Sequence, residues 1–413
     1  APKNFSRDFR GAVPADEALV RSLNVPAVRL LAEYGVDRFY GLLVRLGLRS
    51  VGRFPASHYG LSLVIGGAES TVWELAGAYR RLGLCALESE GANRPLHVLA
   101  ASGEKGGSGE VPLGPGACWL TLDALQRVQR PGVEAAWRNF ASARRVGWKT
   151  GTSFGFRDAW AVGVDPGYVV AVWAGNADGE GRPGLVGSKA AGPVLFELFG
   201  LLPDAGWFPP PLGDLTRREL CARSGMLAGP ECTEKVSVLV PRREIKVPPC
   251  PYCRTVYCDE GCTHRVHRGC EKAERLRETN LMVLPPAMEH YYRRKHSDYR
   301  PLPPWRRDCA PRGPGSGDNP ISILYPRPSA RVYIPVDLDG HRGKVVFEAA
   351  HREPGTTIFW HLDGRYLGRT SGVHQLELAP RPGSHRLLLE DGSGARLAVS
   401  FDVLDKENSW SGR

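Results

Sequence analysis

The sequence predicts a multi-domain α+β chain in three parts, on three observations. Helical and strand periods mix over residues 1–210. Both fade in a Cys-, Arg- and Pro-rich stretch over 211–318, read as an irregular linker domain, and a steady two-residue alternation returns from Ile321 to Val403. At 413 residues the chain exceeds what one ordinary core organises, so separate domains are the physical expectation. The runs "PDAGWFPPPLGD" and "PRGPGSGDNP" read as the linkers at the two junctions.

In the first part, Pro14-Ala15-Asp16-Glu17 opens a short helix with an acidic first turn, and "SLN" at 22–24 interrupts it. Pro26 starts a second helix whose Val28, Leu30, Leu31 and Tyr34 form an apolar stripe, and Gly35 stops it. Thr71-Val72-Trp73-Glu74 has the form of a capping box and leads into Leu75, Ala76, Tyr79 and Leu82 at helical spacing. Residues 101–116 are Gly-rich and read as a loop. From Val146 the period becomes two. Trp160, Val162 and Val164 alternate with small residues, Asp165-Pro166-Gly167 turns the chain, and "YVVAVWAG" returns antiparallel, with the Lys149 strand alongside. "GSKAAGPVLFELFGLL", 187–202, reads as a closing helix.

In the last part, turn signals at Asp339-Gly340, Pro354-Gly355, Asp363-Gly364, Pro382-Gly383 and Asp391-Gly392 divide residues 319–405 into about seven strands, which suits a C-terminal Ig-like β-sandwich followed by a short tail, 406–413. Trp360 and Leu362 suit its core. His361, His374 and His385 have no carboxylate or Cys at useful sequence spacing, so a surface or cross-strand role is expected of them.

No run approaches the roughly 18 consecutive apolar residues that a membrane span requires. The opening residues "APKNFSRDFRG" carry neither an initiating Met nor a signal-peptide core, so the chain reads as a piece of something longer. A formal net charge of +10 suits an anionic partner. No RNP, helix-turn-helix or zinc-finger spacing accompanies that charge, so nucleic acid is not an expected partner.

The chemistry concentrates in two short motifs. Ser22-Leu23-Asn24 sits on a break between helices, and Lys149-Thr150-Gly151-Thr152 sits on a strand heading a hairpin. Alone, the first would read as a helix-terminating polar loop and the second as an exposed strand edge. Together and in this order, S-x-N then KTG, they form part of the signature of penicillin-binding proteins and class A β-lactamases.

Residues 1–205 resemble the transpeptidase domain of class A penicillin-binding proteins, most closely the 1C branch. The resemblance rests on "SLNVPAVRLLAEYG", "YGLSLVIGGAESTVWELAGAY" and, most specifically, "KTGTSFGFRDAWAVGVDPGYVVAVWAGN". The tail "FWHLDGRYLG...GSHRLLLEDGSG" resembles that branch's C-terminal β domain. It implies a partial penicillin-binding-protein/β-lactamase-like fold and a serine-type D,D-transpeptidase that cross-links peptidoglycan stem peptides and is trapped by β-lactam antibiotics. It also implies a periplasmic protein tethered to the inner membrane, with a glycosyltransferase region and other periplasmic cell-wall proteins as partners. A β-lactamase is disfavoured, because no deacylating Glu loop is recognisable and long domains are appended.

By that resemblance, Ser22 relays a proton to the leaving nitrogen, Asn24 orients the site lysine and the substrate amide, and Lys149 supplies positive charge across the cleft. Thr150 and Thr152 bind the substrate carboxylate, the Thr152 N–H gives half of an oxyanion hole, and Gly151 leaves the strand edge open. Ser153 is counted with the substrate-binding residues and, like Gly155, Arg157 and Asp158, borders the site without a chemical role.

The nucleophile is missing. The family places S-x-x-K before S-x-N on a central buried helix, and nothing in residues 1–21 fits it. The only S-x-x-K is Ser102-Gly103-Glu104-Lys105, inside "ASGEKGGSGE", a loop too flexible to hold a lysine against a serine. The expectations are therefore an incomplete sheet, helices at 26–34 and 71–82 with exposed or repacked apolar faces, and no acyl-enzyme from this polypeptide without the missing N-terminal part of the same protein. The alternative is a non-catalytic peptidoglycan-binding or partner-docking module.

Eight of the ten cysteines lie between Cys221 and Cys309, which suggests an oxidising compartment. Structural disulfides are one reading, with Cys221–Cys232 as the first bridge; zinc held among Cys250, Cys253, Cys258, Cys262 and Cys270 is another. Cys250-Pro251-Tyr252-Cys253 also has the form of a redox motif, but no βαβ pattern surrounds it. Catalysis itself calls for no cofactor. Cys85 and Cys118 read as buried apolar residues.

Overall fold

The structure, a computed structural model, describes residues 9–89, 96, 111–132, 143–242, 248–310, 319–334 and 343–404. Ser102 and Lys105, most of the Gly-rich stretch and the turn at Asp339-Gly340 lie outside the described residues. The chain forms two compact units, one from residues within 13–220 and 236–242, the other from residues within 9–12, 221–235 and 248–404.

The first unit opens with α1 (Ala15–Val20), α2 (Asn24–Tyr34), α3 (Val36–Arg45) and α4 (Ala56–Tyr59), then α5 (Val72–Ala86) and α6 (Pro115–Gln126). A three-stranded antiparallel sheet follows, β1 (Gly147–Thr152), β2 (Asp158–Val164) and β3 (Val169–Gly175) in that spatial order, and α7 (Gly187–Gly200) packs on it. β4 (Leu215–Cys221) and β5 (Lys235–Pro241) pair as a separate ribbon.

Local chemistry explains these boundaries. Gly35 ends α2 at φ +99°, in the region that favours glycine, and α3 begins at the next residue. The capping box forms as the sequence dictates. The Glu74 N–H donates to Thr71 Oγ1 at 3.1 Å, and the Glu74 carboxylate accepts from the Thr71 N–H at 3.2 Å. Helix α6 is not legible from periodicity, because Thr121, Asp123 and Gln126 are scattered around the otherwise apolar "PGACWLTLDALQ" and leave no stripe.

The core under the sheet comprises Leu125, Val128, Val146, Trp148, Ala161, Leu195 and Phe199. On the expected apolar helix faces, Val28 and Leu31 are buried, and Leu31 packs with Tyr59, Leu63 and Ala78. Leu30 is nonetheless 65% exposed and Trp73 51%. These faces are thus partly buried and partly bare.

The second unit carries the ribbon of β6 (Cys253–Cys258) and β7 (Arg277–Met282), then α8 (Pro286–Tyr292). The middle segment is therefore less irregular than its composition suggests, with four strands and a helix among the described residues of 215–292.

Among the described residues eight strands follow: β8 (Ile321–Tyr325), β9 (Arg331–Tyr333), β10 (Val345–His351), β11 (Thr357–Leu362), β12 (Arg365–Ser371), β13 (His374–Leu378), β14 (Gly383–Asp391) and β15 (Arg396–Leu404). They form one sheet in the order β13-β10-β8 and another in the order β12-β11-β14-β15-β9. Both sheets feed one core, in which Phe347, Trp360, Leu387, Leu389 and Phe401 are almost wholly buried. Asp363-Gly364 turns β11 into β12 with φ +52° and +82°, the mirror-image hairpin geometry that a Asp-Gly pair favours.

The histidines have partners that sequence spacing hid. His385 Nδ1 lies 2.6 Å from Asp363 Oδ2, and buried His351 Nε2 lies 3.1 Å from Asp391 Oδ2. The expectation that His385 lacks a carboxylate is corrected: the β11–β12 turn carries Asp363 to it across the β11–β14 pairing.

The cysteines also divide differently from expectation. Cys258 is joined to Cys262 and Cys270 to Cys309, so Cys258, Cys262 and Cys270 are not metal ligands. The turn after β6 brings Cys262 back to the strand's last residue, with the Cys262 N–H donating to the Asp259 carbonyl at 2.9 Å. Cys221 and Cys232 form no bridge: both are free thiols, as are Cys250 and Cys253. Cys85 and Cys118 are buried in the apolar cluster with Leu122, Val164 and Phe208.

Candidate active site

Both motifs lie in the first unit. Ser22 sits between α1 and α2 at φ +54°, a conformation that costs a non-glycine residue energy and concentrates at functional sites. Asn24 is the first residue of α2, two positions on. Lys149 projects from β1, where it is paired with Val162 of β2.

These two places meet. Lys149 Nζ donates a short hydrogen bond to Ser22 Oγ, and donates also to the Thr150 carbonyl at 3.0 Å. Burial pushes the Lys149 ammonium below the ordinary lysine range, because its charge is poorly solvated there. With its Oγ lone pair occupied by Lys149, the Ser22 hydroxyl keeps its own proton to donate.

The rest of β1 is framed by α7. The Gly187 N–H donates to Thr152 Oγ1 at 3.0 Å, tying the start of α7 to the strand. A Cβ on Gly187 would lie 2.4 Å from the Gly151 carbonyl oxygen, so only glycine permits this approach. At Gly151 itself a Cβ would meet the Trp160 side chain at 3.5 Å, an ordinary contact.

The β1–β2 corner is fixed by the Asp158 carboxylate. Ser153 Oγ donates to Asp158 Oδ2 at 2.7 Å, the Asp158 N–H donates back to Ser153 Oγ at 2.8 Å, and Trp173 Nε1 donates to Asp158 Oδ1 at 2.9 Å. The "FRDAW" string thus anchors the corner next to the Thr152 end of the strand. Phe154, at the tip, is 98% exposed.

A second anchor carried no sequence signal. Arg144 forms an ion pair with Asp165 at the β2–β3 turn and donates to the carbonyls of Phe199 (2.6 Å) and Leu202 (2.7 Å), locking that turn to the end of α7. Asp165 in turn accepts the Gly167 and Tyr168 N–H groups at 2.9 and 2.8 Å, an Asx-type turn.

Against known proteins, residues 311–401 match the Penicillin-Binding Protein C-terminus Family. Penicillin-binding protein 1C of Escherichia coli is 28% identical over 97% of this chain and 51% of its own length. The chain is similar to the penicillin-binding proteins, and to the 1C protein over nearly its whole length.

Penicillin-binding protein 1B of Vibrio cholerae is 32% identical, over 43% of the chain and 23% of its own length. A solved structure of penicillin-binding protein 1A from Haemophilus influenzae superposes with a TM-score of 0.45 at 18% identity, over 60% of this chain and 42% of that one. The 1C match runs through the Cys-rich segment and the β domain, whereas the 1B match is confined to less than half of the chain. This chain spans about half the length of the penicillin-binding protein 1C it matches. Among the described residues, no helix is long and apolar enough to cross a membrane.

Proposed function

We propose that the first unit is the S-x-N and KTG side of a serine D,D-transpeptidase site acting on peptidoglycan stem peptides, in the periplasm, and that β-lactams occupy the same groove. The supporting observation is the hydrogen bond from Lys149 to Ser22, which joins two motifs 127 residues apart in the order this chemistry requires. Acyl transfer needs a proton delivered to the leaving nitrogen and a cation near the substrate carboxylate. Ser22 would deliver the proton, held in orientation by Lys149, while Asn24 would position the substrate amide. The Thr150 and Thr152 hydroxyls would receive the carboxylate, with Thr152 N–H completing one half of an oxyanion hole. Gly151 fits this role, since the protein itself has room for a side chain there and the demand for glycine would come from the bound peptide.

The attacking serine would come from an S-x-x-K segment outside this sequence, so the chain by itself is inactive. Fluorescent penicillin tests both halves of the proposal. The chain alone should give no covalent band on a denaturing gel, and a longer polypeptide from the same reading frame that includes S-x-x-K should give one. Labelling of the chain alone, or no labelling of the longer polypeptide, contradicts the proposal; the latter result would favour a non-catalytic binding or docking module.

A further inference from the structure

The second unit contains a side-chain cluster with no part in acyl transfer. The sulfurs of Cys221, Cys232, Cys250 and Cys253 all lie within 4.8 Å of one another. We propose that these four cysteines hold one structural zinc ion in a closed four-thiolate site.

Geometry supports the assignment first. Four thiolates at the usual Zn–S length of about 2.3 Å stand about 3.8 Å apart along the edges of a tetrahedron. Cys221 Sγ and Cys253 Sγ are 3.6 Å apart, close to that edge and well beyond a covalent S–S bond of about 2.05 Å. The other cysteines of the segment, Cys258, Cys262, Cys270 and Cys309, have all found disulfide partners, which leaves these four as one set of free thiols.

The loops around the sulfurs have the outer bonds that a thiolate site uses. The Gly229 N–H donates to Cys232 Sγ at 3.3 Å and Ser224 Oγ donates to Cys250 Sγ at 3.1 Å, which lowers the cost of gathering negative sulfur. The two cysteine-bearing loops run side by side: the Cys250 N–H donates to the Leu227 carbonyl at 2.9 Å, and the Leu227 N–H to the Pro248 carbonyl at 3.2 Å. Gly225, at φ +69°, closes the turn after Cys221 by donating to its carbonyl at 2.9 Å.

Stability supplies an independent reason. Between Cys221 and Lys235 the only fully buried side chains are Cys221 and Cys232. A loop ordered without an apolar core or a disulfide needs another source of free energy to offset its conformational entropy, and a metal joined to its two buried sulfurs provides it. Soft thiolates in tetrahedral array select zinc among the common divalent ions, and four protein ligands leave no open position, so the site is structural. Binding one Zn²⁺ would release the four thiol protons to solvent.

The untagged full chain, purified without chelator, should retain one zinc per chain by native mass spectrometry and by elemental analysis. Only four thiols beyond Cys85 and Cys118 should become alkylated, and only when chelator and denaturant are both present. The Cys232→Ser and Cys253→Ser variants should each lose the zinc. Retention of full zinc by both variants, iron in place of zinc, or a metal-free chain whose four cysteines resist alkylation until reduced would each overturn the assignment. The last result, disulfides in place of a metal, is read on the unmodified protein and does not depend on any variant folding.

Discussion

Lys149 on strand β1 and Ser22 on the α1–α2 break share a hydrogen bond, although 127 residues separate them in the chain. The burial of Lys149 at this place has a stability cost that can be measured. A lysine whose folded-state pKa lies below its unfolded value destabilises the fold while it is charged, and that loss is relieved as pH rises through the depressed value toward about 10.4. Lys149→Met should therefore raise the thermal midpoint of the unit containing it by about 2 °C at neutral pH, a change of about 0.5–1 kcal/mol. Calorimetry is the check, and a lowered midpoint would show that the ammonium stabilises the fold on balance.

The Asp158 corner should matter more to shape than to charge. Asp158→Ala removes the acceptor for Ser153 Oγ and Trp173 Nε1 in a part-exposed setting, and should cost about 1–2 kcal/mol in urea unfolding. Phe154→Ala, a few residues away at the exposed tip, should change stability by less than about 0.5 kcal/mol. Equal losses from the two substitutions would sink this reading of the corner.

Arg144→Ala leaves the Asp165 carboxylate buried without its ion pair, because the Asp165 side chain is 0% exposed. Breaking a buried pair from one side costs about 3–5 kcal/mol. The denaturant midpoint should fall accordingly, and a change within about 0.5 kcal/mol would mean that the hairpin turn does not depend on this anchor.

In the β domain, Asp391 sets an acid limit. Burial alone would raise its carboxyl, but hydrogen bonds from His351, from the Ser393 hydroxyl and N–H and from the Ala395 N–H more than offset this and bring it to about 2. A carboxylate depressed in the folded state contributes stability above its unfolded pKa of about 3.9, and loses it as pH falls through the folded value. Stability of the second unit should fall by about 2 kcal/mol between about pH 4 and pH 2, and Asp391→Asn should flatten that slope. An unchanged acid slope in the variant would place the titration elsewhere.

Much of this was legible in the chain because its signals were local. The capping box at Thr71, the stop at Gly35 and the β2–β3 hairpin follow from a few adjacent residues each. The three-stranded sheet and the S-x-N and KTG motifs were readable for the same reason. What escaped was set by distance. Asp158 reaches Trp173 through strand register, Asp363 reaches His385 through a hairpin turn, and Cys221 with Cys232 joins Cys250 and Cys253 through two adjacent loops. Sequence proximity pointed to a Cys221–Cys232 bridge and to ligands beyond Cys253, whereas the chain path pairs those later cysteines among themselves.

The most direct test is the rate of β-lactam acylation in a longer polypeptide carrying S-x-x-K, measured for the parent, Ser22→Ala, Lys149→Ala and the double variant. If Ser22 and Lys149 act as one proton-delivering unit, each single substitution should slow acylation by about 10²–10⁴-fold, and the double variant should be little slower than either. A single variant within about twofold of the parent, or losses that simply multiply in the double variant, would contradict it.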